Sequence, residues 1–179
     1  MSLNTALAIS VGVLGAVATY LFLGVGALAP LQIWAAFIAW GCFFHCGGKE
    51  PGLQSTVLCT AAGAIIAGIT LIAAGASIGA SLPPAVWAAI CVGVGVAAMV
   101  LLANLPLFAS IPAQVYGFAS VVALALLPAT PGGMTTVSMA NPVIAIILSM
   151  IIGAVFGYVS EKVAGMLVGI GHHHAAAKA

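Results

Sequence analysis

His45 and Cys46 follow Cys42 at three and four residues, a spacing that sets two thiols and an imidazole on one face of a helix. Groups of this kind ligate zinc, which takes four of them. The run supplies three, and Lys49 and Glu50 just beyond add charge but no obvious fourth ligand. Two other roles compete with a metal site: cysteines as small packing residues, and His45 as part of a polar, pH-responsive mouth.

A second constellation occurs twice. Pro30-Leu31-Gln32-Ile33-Trp34 returns as Pro112-Ala113-Gln114-Val115-Tyr116, a proline followed by an amide and then an aromatic ring. Proline suits the first turn of a helix, where its missing N–H has no partner to lose. Gln32 and Gln114 would then stand near two helix N-termini, with amides able to hydrogen-bond a polar solute and positive dipole ends opposing cations. The competing role is local: each glutamine caps or bridges helices, while Trp34 and Tyr116 belong to an interfacial aromatic belt.

Nothing in the chain reads as a catalytic centre, so no enzyme and no cofactor are expected. Glu161 stands beside Lys162 and reads as half of an interfacial ion pair; no serine or threonine has a plausible His or Asp partner, and no phosphate-cradling loop is present. Buried ionisable groups, which ion- or proton-coupled carriers use, are essentially missing. Passive permeation of a neutral solute remains the economical form of transport.

The elements that must position these residues follow from composition. Of 179 residues, 64% are hydrophobic and 3% charged, where a soluble domain carries about 25% charge. Such a chain is solvated by lipid and must satisfy its backbone internally. Its long apolar runs lack the alternation of barrel strands, so the class is all-α. A net charge of +1 leaves no basic stripe for nucleic acid. The four cysteines, Cys42, Cys46, Cys59 and Cys91, lie in or beside apolar runs rather than in a secreted disulfide pattern.

Gly, Pro and Asn punctuation divides the chain into six spans of about 20 residues each, near 5–23, 30–46, 55–74, 85–103, 112–127 and 141–162. The first lacks a charged leader region and is expected to stay in the mature protein. Residues 1–170 form one transmembrane domain, and 171–179 a flexible tail carrying His172, His173 and His174. With six spans, Lys49, Lys162 and Lys178 fall on one side, which the positive-inside rule assigns to the cytoplasm together with both termini.

The first three spans (about 5–76) and the last three (about 85–162) echo each other. Ile9-Ser10-Val11-Gly12-Val13 matches Ile90-Cys91-Val92-Gly93-Val94, the Pro-x-Gln-x-aromatic elements follow, and Gly47-Gly48 is echoed by Gly132-Gly133. Three crossings per unit invert one unit relative to the other. Gly153/Gly157 and Gly165/Gly169 carry the spacing that lets helix backbones approach closely, which points to tight packing and a homo-oligomer.

The run from Trp34 to Phe44, then Gly47-Gly48, and the ending from Gly153 to Glu161 resemble a small bacterial inner-membrane family catalogued as a domain of unknown function, DUF1097. The likeness spans nearly the whole chain. It implies a multi-pass inner-membrane protein and brings no activity. Members typically carry small residues where this chain has His45 and Cys46, so a His/Cys role would be particular to this chain.

The expectation is therefore a six-span bundle of two inverted three-helix repeats, acting in the lipid bilayer as a channel or passive facilitator for urea, ammonia or a short amide. Gln32, Gln114, Trp34, Tyr116 and His45 would line or frame the path. A non-transporting scaffold or accessory subunit is the first alternative. A metal-ion transporter using Cys42, His45 and Cys46 is the second.

Overall fold

The computed structural model describes residues 1–79, 81–127 and 133–176, with side chains as far as Gly169 apart from Ala27. The described residues form six α-helices and no strand: α1 Leu3–Gly24, α2 Ile33–His45, α3 Lys49–Ala74, α4 Pro84–Leu102, α5 Ile111–Ala125 and α6 Pro142–Ala176. Four of them (α1, α3, α4 and α6) are long and apolar enough to cross a membrane. With 13 and 15 residues, α2 and α5 reach only about 20 to 22 Å, short of the ~30 Å hydrocarbon layer.

Local chemistry explains most helix starts. Ser2 caps α1 by accepting from the Thr5 N–H at 3.2 Å. At α6, Asn141 accepts from the Val143 N–H at 2.9 Å and Pro142 occupies the first position, the expected cap-and-proline pairing. The Asn141 amide also donates to the carbonyls of Met134 and Thr136 at 2.9 and 2.8 Å, holding the preceding chain against the helix.

The second helix departs from the sequence reading. Pro30 does not begin it. A 3-10 turn, Gly26–Leu28, precedes it, and Gln32 is its N-cap. The reason is tertiary: the Gln32 N–H donates 2.8 Å to the Ser149 hydroxyl of α6. Pro112, by contrast, lies inside the first turn of α5, so Gln114 is a helical residue. The third helix begins earlier than the expected 55, at Lys49.

α3 and α6 are the central pair. They run antiparallel, with Gly48 against Glu161 at one end and Gly68 against Val143 at the other. α5 packs chiefly on α3, and α2 chiefly on α6; α4 flanks α3, and α1 flanks α6. Glycines permit the closest approaches. A Cβ on Gly63 would strike the Gln114 carbonyl, one on Gly117 the Thr60 carbonyl, and one on Gly153 the Ala36 carbonyl. Gly157 seats the Phe43 ring, so the 153/157 pair serves packing within the chain, whereas Gly165 and Gly169 have nothing within 4 Å.

The core follows this arrangement: Ala35, Ala39, Ala64, Val121, Ile146 and Met150 are almost fully buried between the central and short helices. Outer faces remain exposed, as with Ile9, Val13, Val17 and Tyr20 on α1. Those faces suit lipid.

The backbone of the 171–179 tail is helical to Ala176. Residues 177–179 and the side chains of His172 to His174 lie outside the described residues, as does Gly132 of the second Gly-Gly pair.

Candidate functional site

Polar side chains converge where the C-terminus of α2, the N-terminus of α5 and the first half of α3 meet. His45 Nδ1 lies 3.0 Å from the Tyr116 hydroxyl. Cys46 Sγ lies 3.9 Å from Cys42 Sγ and 3.6 Å from the Ser110 hydroxyl. On α3, Cys59 donates its thiol toward the Leu107 carbonyl at 3.7 Å and faces the Ser55 hydroxyl at 3.9 Å. Cys42, Cys59 and Ala113 pack into one buried cluster, with Cys46 and Tyr116 against it.

Gln114 is the centre of this region. It is 0% exposed, and its Nε2 donates 2.7 Å to the Phe108 carbonyl. Its Oε1 is buried without a hydrogen-bond partner. An unpaired buried acceptor costs about 1–3 kcal/mol, so most such groups in folded proteins have found a donor or hold a water. The backbone carbonyl of Gln114 rests on Gly63, fifteenth of the 26 residues of α3. The amide therefore sits deep in the bundle, although it is only four residues into its own helix.

Gln32 differs in kind from Gln114. Its Nε2 donates 3.1 Å to the Pro30 carbonyl and its Oε1 accepts 3.0 Å from the Trp34 indole N–H. Both polar atoms of the side chain have a partner two residues away, the contacts expected of the local role. Trp34 and Gln32 lie at the opposite end of α2 from His45. The two copies of the sequence motif thus build different things.

The Cys42–His45–Cys46 face is likewise redirected. Cys42 is buried and Cys46 is the C-cap rather than a helical residue. His45 is engaged by Tyr116 across the α2–α5 gap. Among the described residues no group of three or more His, Cys, Asp or Glu side chains is arranged to hold a metal ion.

Charge gathers just beyond this site. Gly47, Gly48 and Lys49 all have positive φ, at 91°, 68° and 57°, a tight reversal that glycine enters freely and lysine does not. Glu161 holds it, accepting 2.8 Å from the Lys49 N–H at the start of α3, where a carboxylate meets the positive end of the helix. Lys162 does not pair with Glu161, as the sequence suggested. It reaches Glu50 at 3.1 Å and lies 4.9 Å from the centre of the Tyr158 ring. The Tyr158 hydroxyl donates 2.6 Å to the same Glu50 oxygen. α6 faces α3 there, and side chains three and four residues apart on one helix find partners on the other.

Sequence reasoning missed Ser55, Cys59 and Ser110 as members of the site. Ser110 had a legible signal, since a serine just before Ile111-Pro112 marks a helix N-terminus. Ser55 and Cys59 had none, because only the crossing of α3 and α5 brings them to Leu107.

Several grooves among the described residues are apolar. One of about 370 Å³ lies between α3 and α4, lined by Thr70, Trp87, Cys91 and Gly95 among others. Another of about 360 Å³ runs between α2 and α5 past Trp34, Ile38, Tyr116 and Ser120. A smaller one of about 210 Å³, lined by Pro51, Gln54, Ser55, Pro106 and Leu107, is more polar than these two.

A family model described as "Protein of unknown function (DUF1097)" matches residues 8–165. No curated protein and no solved structure matches the chain.

Proposed function

We propose that this chain, which belongs to the DUF1097 family, is a passive facilitator for a small, neutral, polar solute of the urea, ammonia or short-amide class. The observation that carries the reading is Gln114, fully buried at the crossing of α5 and α3 with its carbonyl oxygen unpartnered. A passing N–H or O–H donor would satisfy that oxygen briefly. The absence of buried charge in the described core favours passive movement of a neutral species over ion-coupled transport.

The architecture we propose with it is six crossings in two inverted three-helix units. Exchanging α1, α2 and α3 for α4, α5 and α6 leaves the packing pattern unchanged: α3 with α5 becomes α6 with α2, α4 with α3 becomes α1 with α6, and α3 with α6 maps onto itself. The contact of Gly63 with Gln114 then corresponds to that of Gly153 with Ala36. In this register Ala36, not Gln32, is the counterpart of Gln114. The short helices α2 and α5 cross with the help of their preceding turns, whose irregular backbone is tolerable at depth only inside protein or beside water.

Lys49, Glu50, Glu161 and Lys162 mark one end of the bundle. By the positive-inside rule this end is cytoplasmic, in a bacterial inner membrane, and both termini share it. A homo-oligomer would use the open glycine faces at Gly12, Gly93, Gly165 and Gly169, where nothing lies within 4 Å.

The same open faces and the apolar grooves favour one other reading, a scaffold that binds partner helices. Stopped-flow measurements on proteoliposomes with water, urea, ammonia and acetamide separate the two. Facilitated flux that Gln114→Leu reduces about tenfold, the worth of one hydrogen bond, is the expected result. Rates equal to those of empty liposomes for every solute would leave the scaffold.

A further inference from the structure

Two grooves border the turn that Gln114 holds: the apolar one between α3 and the end of α4, which Phe108 lines, and a polar one near the charged end. It is lined by Pro51, Gln54 and Ser55 from α3 and by Pro106 and Leu107 from the turn before α5. No charged side chain lines it. Ser55 faces the Cys59 thiol at 3.9 Å, and that thiol points to the Leu107 carbonyl at 3.7 Å. The next carbonyl, Phe108, accepts from Gln114 Nε2 at 2.7 Å. The 3-10 turn Pro106–Phe108 is therefore a thin partition: its Leu107 side lines the groove, and its Phe108 carbonyl is held by the buried amide.

We infer that this groove is the charged-end mouth of a solute path, running past Ser55 and Cys59 to a binding position at Gln114 Oε1. The inference rests on the facilitator reading and specifies its ligand and its route. The ligand is a neutral hydrogen-bond donor of a few heavy atoms. A volume of about 210 Å³ admits several waters at ~30 Å³ each, and molecules of urea size. Gln54 and Ser55 can exchange hydrogen bonds with such a molecule where it leaves bulk water. Gln114 Oε1 accepts only, so it selects donors. The positive end of α5 stands beside it and disfavours cations, while the carbonyl oxygen itself disfavours anions.

The path is testable apart from flux. In a Ser55→Cys variant, a charged, membrane-impermeant methanethiosulfonate reacts only where water reaches the thiol. Intact-mass spectrometry of the full-length protein in liposomes is expected to show one adduct more than the parent chain. Leu58→Cys, on the apolar groove between α3 and the end of α4, is expected to show none. The adduct at Ser55→Cys is then expected to slow urea or ammonia flux at least about tenfold, comparable to Gln114→Leu.

A dry Ser55→Cys beside a reactive Gln54→Cys would overturn the mouth, whatever the flux. Labelling that leaves flux unchanged would overturn the route while the facilitator reading stands. A parent chain without flux for any solute overturns both. Gln114→Leu supplies a second check on ligand class, because loss of the buried acceptor is expected to cut the flux of neutral donors about tenfold. Unchanged neutral flux in that variant would remove Gln114 from the path.

Discussion

At the residue scale, the two glutamines show how one motif yields two roles. Gln32 closes a local circuit with Pro30 and Trp34, so Gln32→Leu strips the Trp34 indole of its acceptor. That loss is expected to lower stability by about 1 kcal/mol, seen as a lower melting temperature in detergent, with flux through the reconstituted protein unchanged. A Gln32→Leu variant that loses flux while keeping its stability would put the glutamine back on the path. Glu161 offers a second single-residue test. Its carboxylate accepts from the Lys49 N–H at the start of α3, and Glu161→Gln keeps the shape while removing the charge. The expected cost is about 0.3–1 kcal/mol at this exposed helix end, shrinking with added salt. Lys162→Met, which breaks the exposed pair with Glu50 and the contact with the Tyr158 ring, is expected to stay within about 1 kcal/mol of the parent.

At the scale of elements, the bundle depends on glycines where helix backbones touch. Gly63 and Gly117 let α3 and α5 meet backbone to backbone, and Gly153 does the same for α6 and α2. Alanine at any of these would force the helices apart, an overpacking cost of about 1–3 kcal/mol or more. Gly63→Ala and Gly153→Ala are expected to lower the melting temperature clearly, and Gly165→Ala, on an open face, to leave it within error. Equal effects at all three positions would count against these crossings. The Gly-xxx-Gly spacing at 153/157 was legible in the sequence, although its use within one chain was not. Gly63 and Gly117 gave no such signal, because in a chain with 22 glycines only the crossing partner distinguishes them. Boundaries show the same division. The Asn141-Pro142 start of α6 is written in its own side chains, while the delayed start of α2 was set by Ser149, more than a hundred residues away.

At the scale of the whole molecule, the distribution of charge makes the broadest prediction. Lys49, Glu50, Glu161 and Lys162 sit together, and the six crossings we propose would return both chain ends to that side. Fluorescent-protein and alkaline-phosphatase fusions after residue 170 are expected to report a cytoplasmic C-terminus, and fusions after Leu127, beyond α5, the opposite side. Fusions reporting the same side at both places would break the six-crossing, inverted arrangement, since α6 would then not cross. That outcome would leave intact the facts that the chain is all-helical and that four of its helices can span a bilayer.

Composition alone places the chain in the all-helical class. Sparse charge and long apolar runs force helices in lipid, and cap and proline chemistry sets several of their ends, because those effects act within a few residues. Which polar groups share a site was decided by tertiary structure alone. Gln114 and Gln32 are indistinguishable as letters in matching motifs. They separate only when Gly63 lets α5 press onto α3 and Ser149 takes the Gln32 N–H, leaving one amide enclosed with a free acceptor and the other bonded to its sequence neighbours. Hydrogen-bond satisfaction at depth depends on who is packed alongside, and residues such as Ser55 and Leu107 become neighbours only in the folded chain.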